Sequence, residues 1–238
     1  MRVLAIDTSN LVLSVAIAEE MRVLAEITTN QQKNHSVKMM DCVSQLLDAT
    51  DTSPEQLSGV GVAIGPGSYT GVRIGVASAK SIAWSLNLPV IGVSSLQAVA
   101  MNALGFAGLI VPLFDARRGQ VYTGCYRSQG MEKVVIEQEE RIVLLQDWLG
   151  QLRETAAGEN ILFLGEDVRL HRELIEQSLG EQAQFAPPAF QHPRAAHIAH
   201  LTIGRLQEAG SVHELVPEYL QLAEAEAKWL AKKQQEGP

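Results

Sequence analysis

The chain of 238 residues has few cysteines, few aromatic side chains and few basic ones. Only Cys42 and Cys125 are present, too few for a disulfide framework or a four-thiolate metal site, so a reducing compartment fits best. Aromatic residues make up 5%, and 19 lysines and arginines stand against 27 aspartates and glutamates, giving a formal net charge of −8. The chain alone is therefore not expected to bind nucleic acid through a basic surface.

Long hydrophobic runs are also absent. Residues 81–114 hold no charged side chain, but asparagine, proline, glycine and serine leave no run of about 18 apolar residues there. The start of the chain reaches Asp7 after four apolar residues, too few for the core of a signal peptide. We expect a soluble, cytoplasmic protein with no membrane contact.

The first half of the chain alternates strand-like and helix-like patterns. β-rich runs over residues 2–7, 11–18 and 22–29 predict an antiparallel meander. Helices are predicted over 36–49, 71–86 and 95–103, and buried strands over 60–64 and 89–93. This alternation predicts an α/β fold with a mixed sheet.

The second half opens in a similar way, with a strand that ends in an acid. Strands are predicted over 109–115, 120–127, 132–138 and 161–164, helices over 144–152, 167–179 and 194–209, and a loop over 181–193. Asp7 and Asp115 end the opening strands of the two halves. We therefore predict two related lobes, residues 1–105 and 106–238, with the last helix able to cross back and a solvated helix over 223–238.

Asp7 is a candidate ligand for a metal and phosphates, the role of an acid at this place in two-lobed nucleotide-binding folds. The residues that follow it, Thr8, Ser9 and Asn10, include no glycine. A phosphate hairpin usually needs glycine there, so that backbone N–H groups can approach the phosphate. The favoured interpretation is that Asp7 caps the turn after its strand.

The most distinctive segment is glycine-rich and lies between a predicted strand and a predicted helix. Its motif residues are Gly65, Pro66, Gly67, Ser68, Thr70 and Arg73. The segment has neither the Walker A nor the Rossmann glycine spacing. An anion site at the start of the helix and a purely structural turn both stay open.

Two helices carry patterns that favour a helix-to-helix contact. In the helix over 71–86, a small residue recurs every four positions, at Gly71, Gly75, Ala79 and Ala83. These residues form a small-residue ridge, along which another helix can approach closely. In the helix over 36–49, apolar residues cover more than about 180°, where a surface helix needs only about 100°. Its predicted interface residues are Met39, Met40, Val43 and Leu47. Packing of both helices within this chain alone is the alternative.

Catalytic and metal-ligating patterns are weak. His35 is followed four residues later by Met39, so the histidine pair of a helical metal site is missing. His192, His197 and His200 are most simply exposed or capping histidines. We predict no catalytic, cofactor-binding or metal-binding residue in this chain.

Several segments together resemble the TsaB (YeaZ) family. They are residues 2–9, His35-Ser36, residues 65–75, residues 91–96, residues 115–117 and the late Pro217-Glu218-Tyr219-Leu220. The resemblance covers residues 1–127 well and the rest loosely, and the glycine-rich block is its most specific part.

The resemblance implies a two-lobed actin/Hsp70-like (ASKHA) fold with mixed sheets and flanking helices. It implies a non-catalytic scaffold subunit of the complex that makes N6-threonylcarbamoyladenosine at position 37 of tRNAs reading codons that start with A. The implied partners are the paralogue TsaD, the ATPase TsaE and, for the chain alone, a second copy. The family's dimer contact uses the helices that correspond to residues 35–49 and 71–86.

The resemblance also implies that partner subunits use ATP, and that tRNA is reached only through the complex. The alternative is a stand-alone phosphotransferase or a metallopeptidase-like enzyme on the same fold.

Overall fold

A computed structural model describes residues 1–30 and 35–220, with the backbone alone for 35–37. The strands are β1 Arg2–Asp7, β2 Leu13–Glu19, β3 Arg22–Thr29, β4 Gly59–Gly65, β5 Val90–Ser94, β6 Leu109–Asp115, β7 Gln120–Gln129, β8 Lys133–Leu144, β9 Ile161–Leu164 and β10 Ala183–Phe185. The helices are α1 His35–Ala49, α2 Tyr69–Ser85, α3 Ser95–Ala100, α4 Leu145–Ala156, α5 Val168–Leu179 and α6 Ala195–Arg205. The predicted tail helix over 223–238 lies outside the described residues.

The first sheet has the order β3-β2-β1-β4-β5. β1 pairs with β2 and β2 with β3 in antiparallel fashion, which confirms the predicted meander. β4 and β5 then add in parallel, as crossover connections through helices require. β1 lies at the centre, and its apolar residues Val3 to Ile6 are fully buried because both faces of the sheet are covered.

The second sheet repeats this topology. Its order is β10-β9-β6-β7-β8, with antiparallel pairing of β6, β7 and β8 and parallel pairing of β6, β9 and β10. The two sheets therefore match strand for strand, which agrees with two related lobes. The prediction of a loop over 181–193 is wrong at β10, since three residues there pair with β9 at the sheet edge without a local pattern of their own.

Helices cover both faces of the first sheet. α1 and α2 pack on one face around Leu4, Ile6 and Val62. α6 packs on the other face against Val3, Ala5 and Ala16. The division into residues 1–105 and 106–238 stays a prediction, and the structure adds that α6, from the later range, lies on the earlier sheet.

The second sheet has a core of its own, and α3 bridges the two. Trp148 of α4 and Ile175 of α5 are fully buried against Phe163 of β9. α3 packs on β6, where Leu96 joins a cluster with Phe114. Among the described helices, none is both long and apolar enough to cross a membrane.

Candidate functional site

Asp7 holds the turn that follows β1. Its carboxylate is fully buried, and Oδ1 accepts hydrogen bonds from the Ser9 backbone N–H at 2.8 Å and from Ser9 Oγ at 2.7 Å. These are the local bonds by which an aspartate stabilises a turn two residues on. The carboxylate thus orders the β1–β2 turn, the place where this architecture could present backbone donors to a phosphate.

The glycine-rich segment packs on that same turn. The Ser68 backbone N–H donates to the Ser9 carbonyl oxygen at 2.6 Å, so one backbone donor of the segment is already used. A Cβ on Gly67 would overlap the Ser9 carbonyl oxygen. Ser68 caps α2, its Oγ accepting from Gly71 N at 3.3 Å, while Pro66 is buried and Thr70 is exposed. Residues 65–68 of the motif therefore form a structural turn whose glycines permit close backbone contact, while Thr70 and Arg73 lie in α2.

The small-residue ridge of α2 faces the interior of this chain. A Cβ on Gly71 would overlap the Thr8 carbonyl oxygen, and one on Gly75 would lie 2.5 Å from Thr8 Oγ1. Ala79 and Ala83 are fully buried in the first core. The prediction that Gly71, Gly75, Ala79 and Ala83 receive a partner helix is wrong, because the β1–β2 turn and the sheet occupy that side.

The predicted interface on α1 is wrong in the same way for two residues, Met39 and Val43. Met39 is 1% exposed and Val43 is 5% exposed, both within the first core, so neither side chain is available to a partner. Leu47 is half-buried against that core. Met40 is 48% exposed and points away from the sheet. The wide apolar arc of α1 is used mainly by its own sheet.

The outward sides of α1 and α2 form a surface that we call the outer face. Its exposed residues include Lys38, Met40, Asp41, Ser44, Gln45 and Asp48 of α1 with Tyr69, Arg73, Ala77, Ser81 and Trp84 of α2. Trp84 is 70% exposed. Tryptophan, tyrosine, methionine and arginine are the residue types enriched in protein interfaces. The spacing of the α2 residues, opposite the ridge, is a signal that the sequence-based prediction missed.

Residues 211–220, the C-terminal strap, cross the first lobe beside α2. Lys80 Nζ donates to the carbonyl oxygens of His213 at 3.1 Å and Leu215 at 2.8 Å. The Glu218 N–H donates to the Ile64 carbonyl oxygen at 2.7 Å. Gly65 has φ +112°, and a Cβ there would lie 2.6 Å from the Glu218 carbonyl oxygen. The first glycine of the motif therefore accommodates the strap.

The strap ends in an aromatic clamp around a motif arginine. The rings of Tyr69 and Tyr219 stack with centroids 5.2 Å apart. The Arg73 guanidinium carbon lies 4.2 Å from the Tyr69 ring centroid, and Arg73 Nε donates to Tyr219 Oη at 2.9 Å. The guanidinium is thus held by stacking and by one hydrogen bond at the edge of the outer face.

Acidic side chains line the cleft between the lobes. The cleft contains a cavity of about 30 Å³, which is lined by Asn10, Leu11, Phe114, Glu166, Asp167, Gln191 and Pro193. Beside it, the Asp115 N–H donates to Asp167 Oδ2 at 2.9 Å, and His171 Nε2 lies 3.1 Å from Asp115 Oδ1. Sites for small molecules usually measure about 300–1,000 Å³. This cleft presents carboxylates in a space far smaller than a nucleotide.

A second inter-lobe cavity, of about 240 Å³, has walls of both charges. It is lined by Ile64, Gly92, Ser94, Gln97, Ile136, Glu139, Glu140, Arg205 and Glu218. Glu140 of β8 accepts hydrogen bonds from Ser94 Oγ of the first lobe and from Tyr126 Oη. Burial raises the pKa of Glu140, and these two hydrogen bonds oppose the rise. The carboxyl group thus connects the lobes.

The three late histidines do not converge. His192 Nδ1 lies 2.6 Å from Glu166 Oε1, His197 Nε2 lies 3.0 Å from Asn102 Oδ1, and His200 Nε2 lies 2.9 Å from the Glu132 carbonyl oxygen. Within residues 1–30 and 35–220, no group of three or more histidine, cysteine or acidic side chains could hold a metal ion. The side chain of His35 lies outside the described residues.

The cysteines are not placed as nucleophiles. Cys42 and Cys125 are buried and unpaired, in different lobes. Burial raises the pKa of both thiols, that of Cys125 to about 12. A thiol with a raised pKa is protonated at neutral pH and inert as a nucleophile.

The partly buried imidazole of His197 makes the free energy of unfolding depend on pH. Burial, and then the charge of Arg194, lower its pKa from 6.5 to about 4. Between pH 6.5 and pH 4, His197 is protonated in the unfolded chain but not in the folded chain. The free energy of unfolding therefore falls as the pH drops through this range. Linkage gives a loss of about 2 kcal/mol at pH 5.

Urea unfolding at pH 7 and pH 5 tests this prediction. We expect His197→Gln, which keeps a hydrogen-bond donor for Asn102, to lose about 2 kcal/mol less than the unmodified chain between the two pH values. Glu140 and the other titrating groups are common to both proteins and cancel in the difference. Equal losses in the two proteins would contradict the assignment.

Known proteins resemble the chain over most of its length. Residues 22–229 match the family described as TsaD, tRNA N6-adenosine threonylcarbamoyltransferase. The tRNA threonylcarbamoyladenosine biosynthesis protein TsaB of Bacillus subtilis (strain 168) is 50% identical over 232 residues, covering 97% of this chain and 98% of that protein.

Solved structures show the same fold at low identity. YeaZ from Pseudomonas aeruginosa has a TM-score of 0.75 at 23% identity, covering 92% of this chain and 99% of that one. The inorganic polyphosphate/ATP-glucomannokinase from Arthrobacter sp. strain KM has a TM-score of 0.52 at 13% identity, covering 85% and 98%. These likenesses confirm the predicted two-lobed actin/Hsp70-like fold.

The match to the TsaD family agrees with the prediction that TsaB and TsaD are paralogues. Identity to a TsaB protein at 50% over 97% of the chain is far more specific than a shared fold. With the glycine-rich motif in place against the β1–β2 turn, it follows that the chain belongs to the TsaB family, whose members are named for tRNA threonylcarbamoyladenosine biosynthesis.

Proposed function

We propose that this chain is a non-catalytic scaffold subunit of the complex that forms N6-threonylcarbamoyladenosine at position 37 of tRNAs reading codons that start with A. The observation that carries the proposal is the 50% identity to a TsaB biosynthesis protein along 97% of the chain. The use of Gly67 and Gly71 for packing against the β1–β2 turn supports it, because the same backbone is then not shaped around phosphates.

The partner in this proposal is a TsaD subunit, with the ATPase TsaE joining the pair. The outer face of α1 and α2 is the contact surface, in place of the buried ridge. Trp84 and Met40, which are 70% and 48% exposed, would contribute apolar area to it. Exposed apolar side chains of this size favour association, so a second copy covers the outer face when TsaD is absent.

Co-purification with TsaD from the same organism tests the scaffold role. We expect a tagged chain to retain TsaD, and Trp84→Ala to weaken that retention at least about tenfold, because tryptophan is a frequent interface hot spot. Met131→Ala is the matched control, since Met131 is 73% exposed in the turn between β7 and β8, away from the outer face. Failure of the unmodified chain to retain TsaD would overturn the proposal.

The chain alone is proposed to bind ATP weakly and to catalyse no reaction, with ATP used by partner subunits. The glycine-free turn after Asp7 and the carboxylates of Glu166 and Asp167 beside the small cleft support this, since both disfavour a bound polyphosphate. We expect calorimetry with Mg-ATP to give a Kd weaker than about 10 µM and no turnover. Tighter binding with turnover would instead support the stand-alone phosphotransferase.

The proposed scaffold is cytoplasmic, the compartment that holds the tRNA substrate of the complex and keeps cysteines reduced. With a net charge of −8, it reaches tRNA only through the other subunits.

A further inference from the structure

The cavity of about 240 Å³ between the lobes shares no residue with the outer face. Its walls come from the ends of β4 and β5, from α3 and β8, and from the ends of α6 and the strap. One water occupies about 30 Å³ in the liquid, so the cavity has room for about eight waters, or for a ligand with a similar number of non-hydrogen atoms. This space is too small for a nucleotide and large enough for a small metabolite.

Three of the lining side chains are acidic and lie within electrostatic reach of one another. Burial raises the pKa of Glu140, and the charges of Glu218 and Glu139 raise it further. The carboxylates of Glu139 and Glu218 have no hydrogen bond or ion pair within residues 1–30 and 35–220. A positive charge in the cavity would relieve the repulsion among the three carboxyl groups. The cavity therefore favours a cationic group.

An ammonium group fits these carboxylates better than a metal ion does. In the described part of the chain, no set of three acidic, histidine or cysteine side chains is placed to hold a metal. An ammonium group has several N–H donors that point in different directions, so it can reach carboxylates that are spread apart. Its hydrogen bonds to carboxylates are also stronger than those between neutral groups.

Arg205 adds a positive charge to the same walls. Its Nη1 donates to the Gly92 carbonyl oxygen at 3.2 Å, which holds the guanidinium at the cavity, and its Nε donates to Glu208 Oε2 at 3.4 Å. Within the described ranges, Nη2 has no hydrogen-bond partner and can donate to a carboxylate of the ligand. A polyamine would be repelled by Arg205, and a simple carboxylic acid by the glutamates. A ligand with both an ammonium and a carboxylate group is complementary to all of them.

The uncharged lining groups favour a short side chain with a hydroxyl group. Ser94 Oγ is already used, since it donates to Glu140 and accepts from two backbone N–H groups of α3. The side-chain amide of Gln97 has no partner among the described residues, so it can bind a hydroxyl. Ile64 and Ile136 supply apolar contact. Serine and threonine are amino acids of this shape.

We infer that the cavity binds a small free amino acid, with its ammonium group among the three glutamates and its carboxylate on Arg205. This inference goes beyond the proposed function and does not depend on the outer face. Because both sheets and the strap supply lining residues, the bound amino acid would connect them. Binding to the folded chain alone would also raise its stability by mass action.

Isothermal titration calorimetry on the full chain compares L-serine and L-threonine with two analogues that each lack one charge. Ethanolamine lacks the carboxylate of serine, and glycerate has a hydroxyl in place of its ammonium. We expect a Kd of about 0.1–1 mM for at least one of the two amino acids. Both analogues should bind at least about tenfold more weakly than that amino acid, because each leaves charged groups of the cavity without a partner.

Three variants of the cavity locate the ligand and its orientation. Glu218→Gln and Glu139→Gln should each weaken binding of the amino acid about tenfold, since each removes a charge that faces the ammonium. Arg205→Gln should weaken it to a similar extent. Arg205→Gln should not weaken the binding of ethanolamine, because ethanolamine has no carboxylate for the guanidinium to hold.

The matched controls carry the same changes outside the cavity. Glu20→Gln alters an exposed glutamate in the turn between β2 and β3. Arg172→Gln alters an exposed arginine of α5 that donates to Glu176 Oε1 at 2.8 Å, as Arg205 donates to a glutamate that follows it. Both controls should bind the amino acid as the unmodified chain does.

The inference is overturned if neither amino acid binds the unmodified chain, if ethanolamine or glycerate binds as tightly as the amino acid, or if the cavity variants bind as the controls do. Circular dichroism of each variant must match the native spectrum, and two acidic positions are changed so that one altered fold does not decide the result. Retention of TsaD is measured separately. Absence of amino-acid binding with TsaD still retained would remove this inference and leave the proposed function standing.

Discussion

Gly71→Ala is expected to lower the free energy of unfolding by about 3 kcal/mol, although it adds one methyl group to a helix. The new Cβ would overlap the Thr8 carbonyl oxygen. This neighbour is backbone, held in a turn that Asp7 orders through Ser9, so it cannot rotate aside as a side chain would. Either α2 moves away from the first sheet or the turn is distorted.

Gly150→Ala provides the matched control. Gly150 lies in α4 and is exposed, and a Cβ at this position would meet no atom within 4 Å apart from the neighbouring backbone of its own helix. Alanine there should raise the free energy of unfolding by up to about 1 kcal/mol, the ordinary preference of a helix for alanine over glycine. Urea unfolding of the two variants should therefore give changes of opposite sign. Equal changes would refute the close contact at Thr8.

Met39→Glu is expected to cost about 3–5 kcal/mol, because it places a carboxylate in the first core without a partner. Met39 is 1% exposed there. The neighbouring change, Met40→Glu, should leave stability within about 0.5 kcal/mol of the native value, since surface substitutions seldom do more. Met40→Glu should instead weaken self-association and TsaD retention, because Met40 is 48% exposed on the outer face.

Thermal unfolding and pull-down together separate these two adjacent residues. The sequence pattern predicts both on the interface, and the structure places only Met40 on the outer face. A Met39→Glu chain with native stability would contradict the described packing of α1. A Met40→Glu chain that is stable and still associates with native affinity would move the interface elsewhere.

Local patterns predict the strands and helices well where burial is continuous. β6 and β9 have the bounds that the sequence predicts, because each is a short apolar run between turn residues. β8 extends to Leu144, six residues beyond the predicted end at residue 138. Charged residues interrupt the pattern of its exposed side, so local periodicity does not show where the strand ends. β10 has no pattern of its own and exists only through its pairing with β9.

The candidate interface is harder to predict, because periodicity shows which residues share a side but not what covers that side. The ridge of Gly71 and Gly75 is real, yet the β1–β2 turn of the same chain lies on it. The clamp depends on Arg73 meeting Tyr219, 146 residues later, and no local pattern reports such a contact. Tyr69 and Trp84 lie on the side of α2 opposite the ridge, where the sequence pattern predicts no contact.

The position of α6 has a consequence for synthesis on the ribosome. The strands of the first sheet are complete at Ser94, but the helix that covers Val3, Ala5 and Ala16 spans Ala195–Arg205. At about 5–20 residues per second, the roughly 100 intervening residues take on the order of 5–20 s to translate. During that interval the nascent chain displays one uncovered apolar sheet face. The first lobe therefore completes its packing only after α6 has left the ribosome, and until then its uncovered sheet face is exposed to ribosome-associated chaperones.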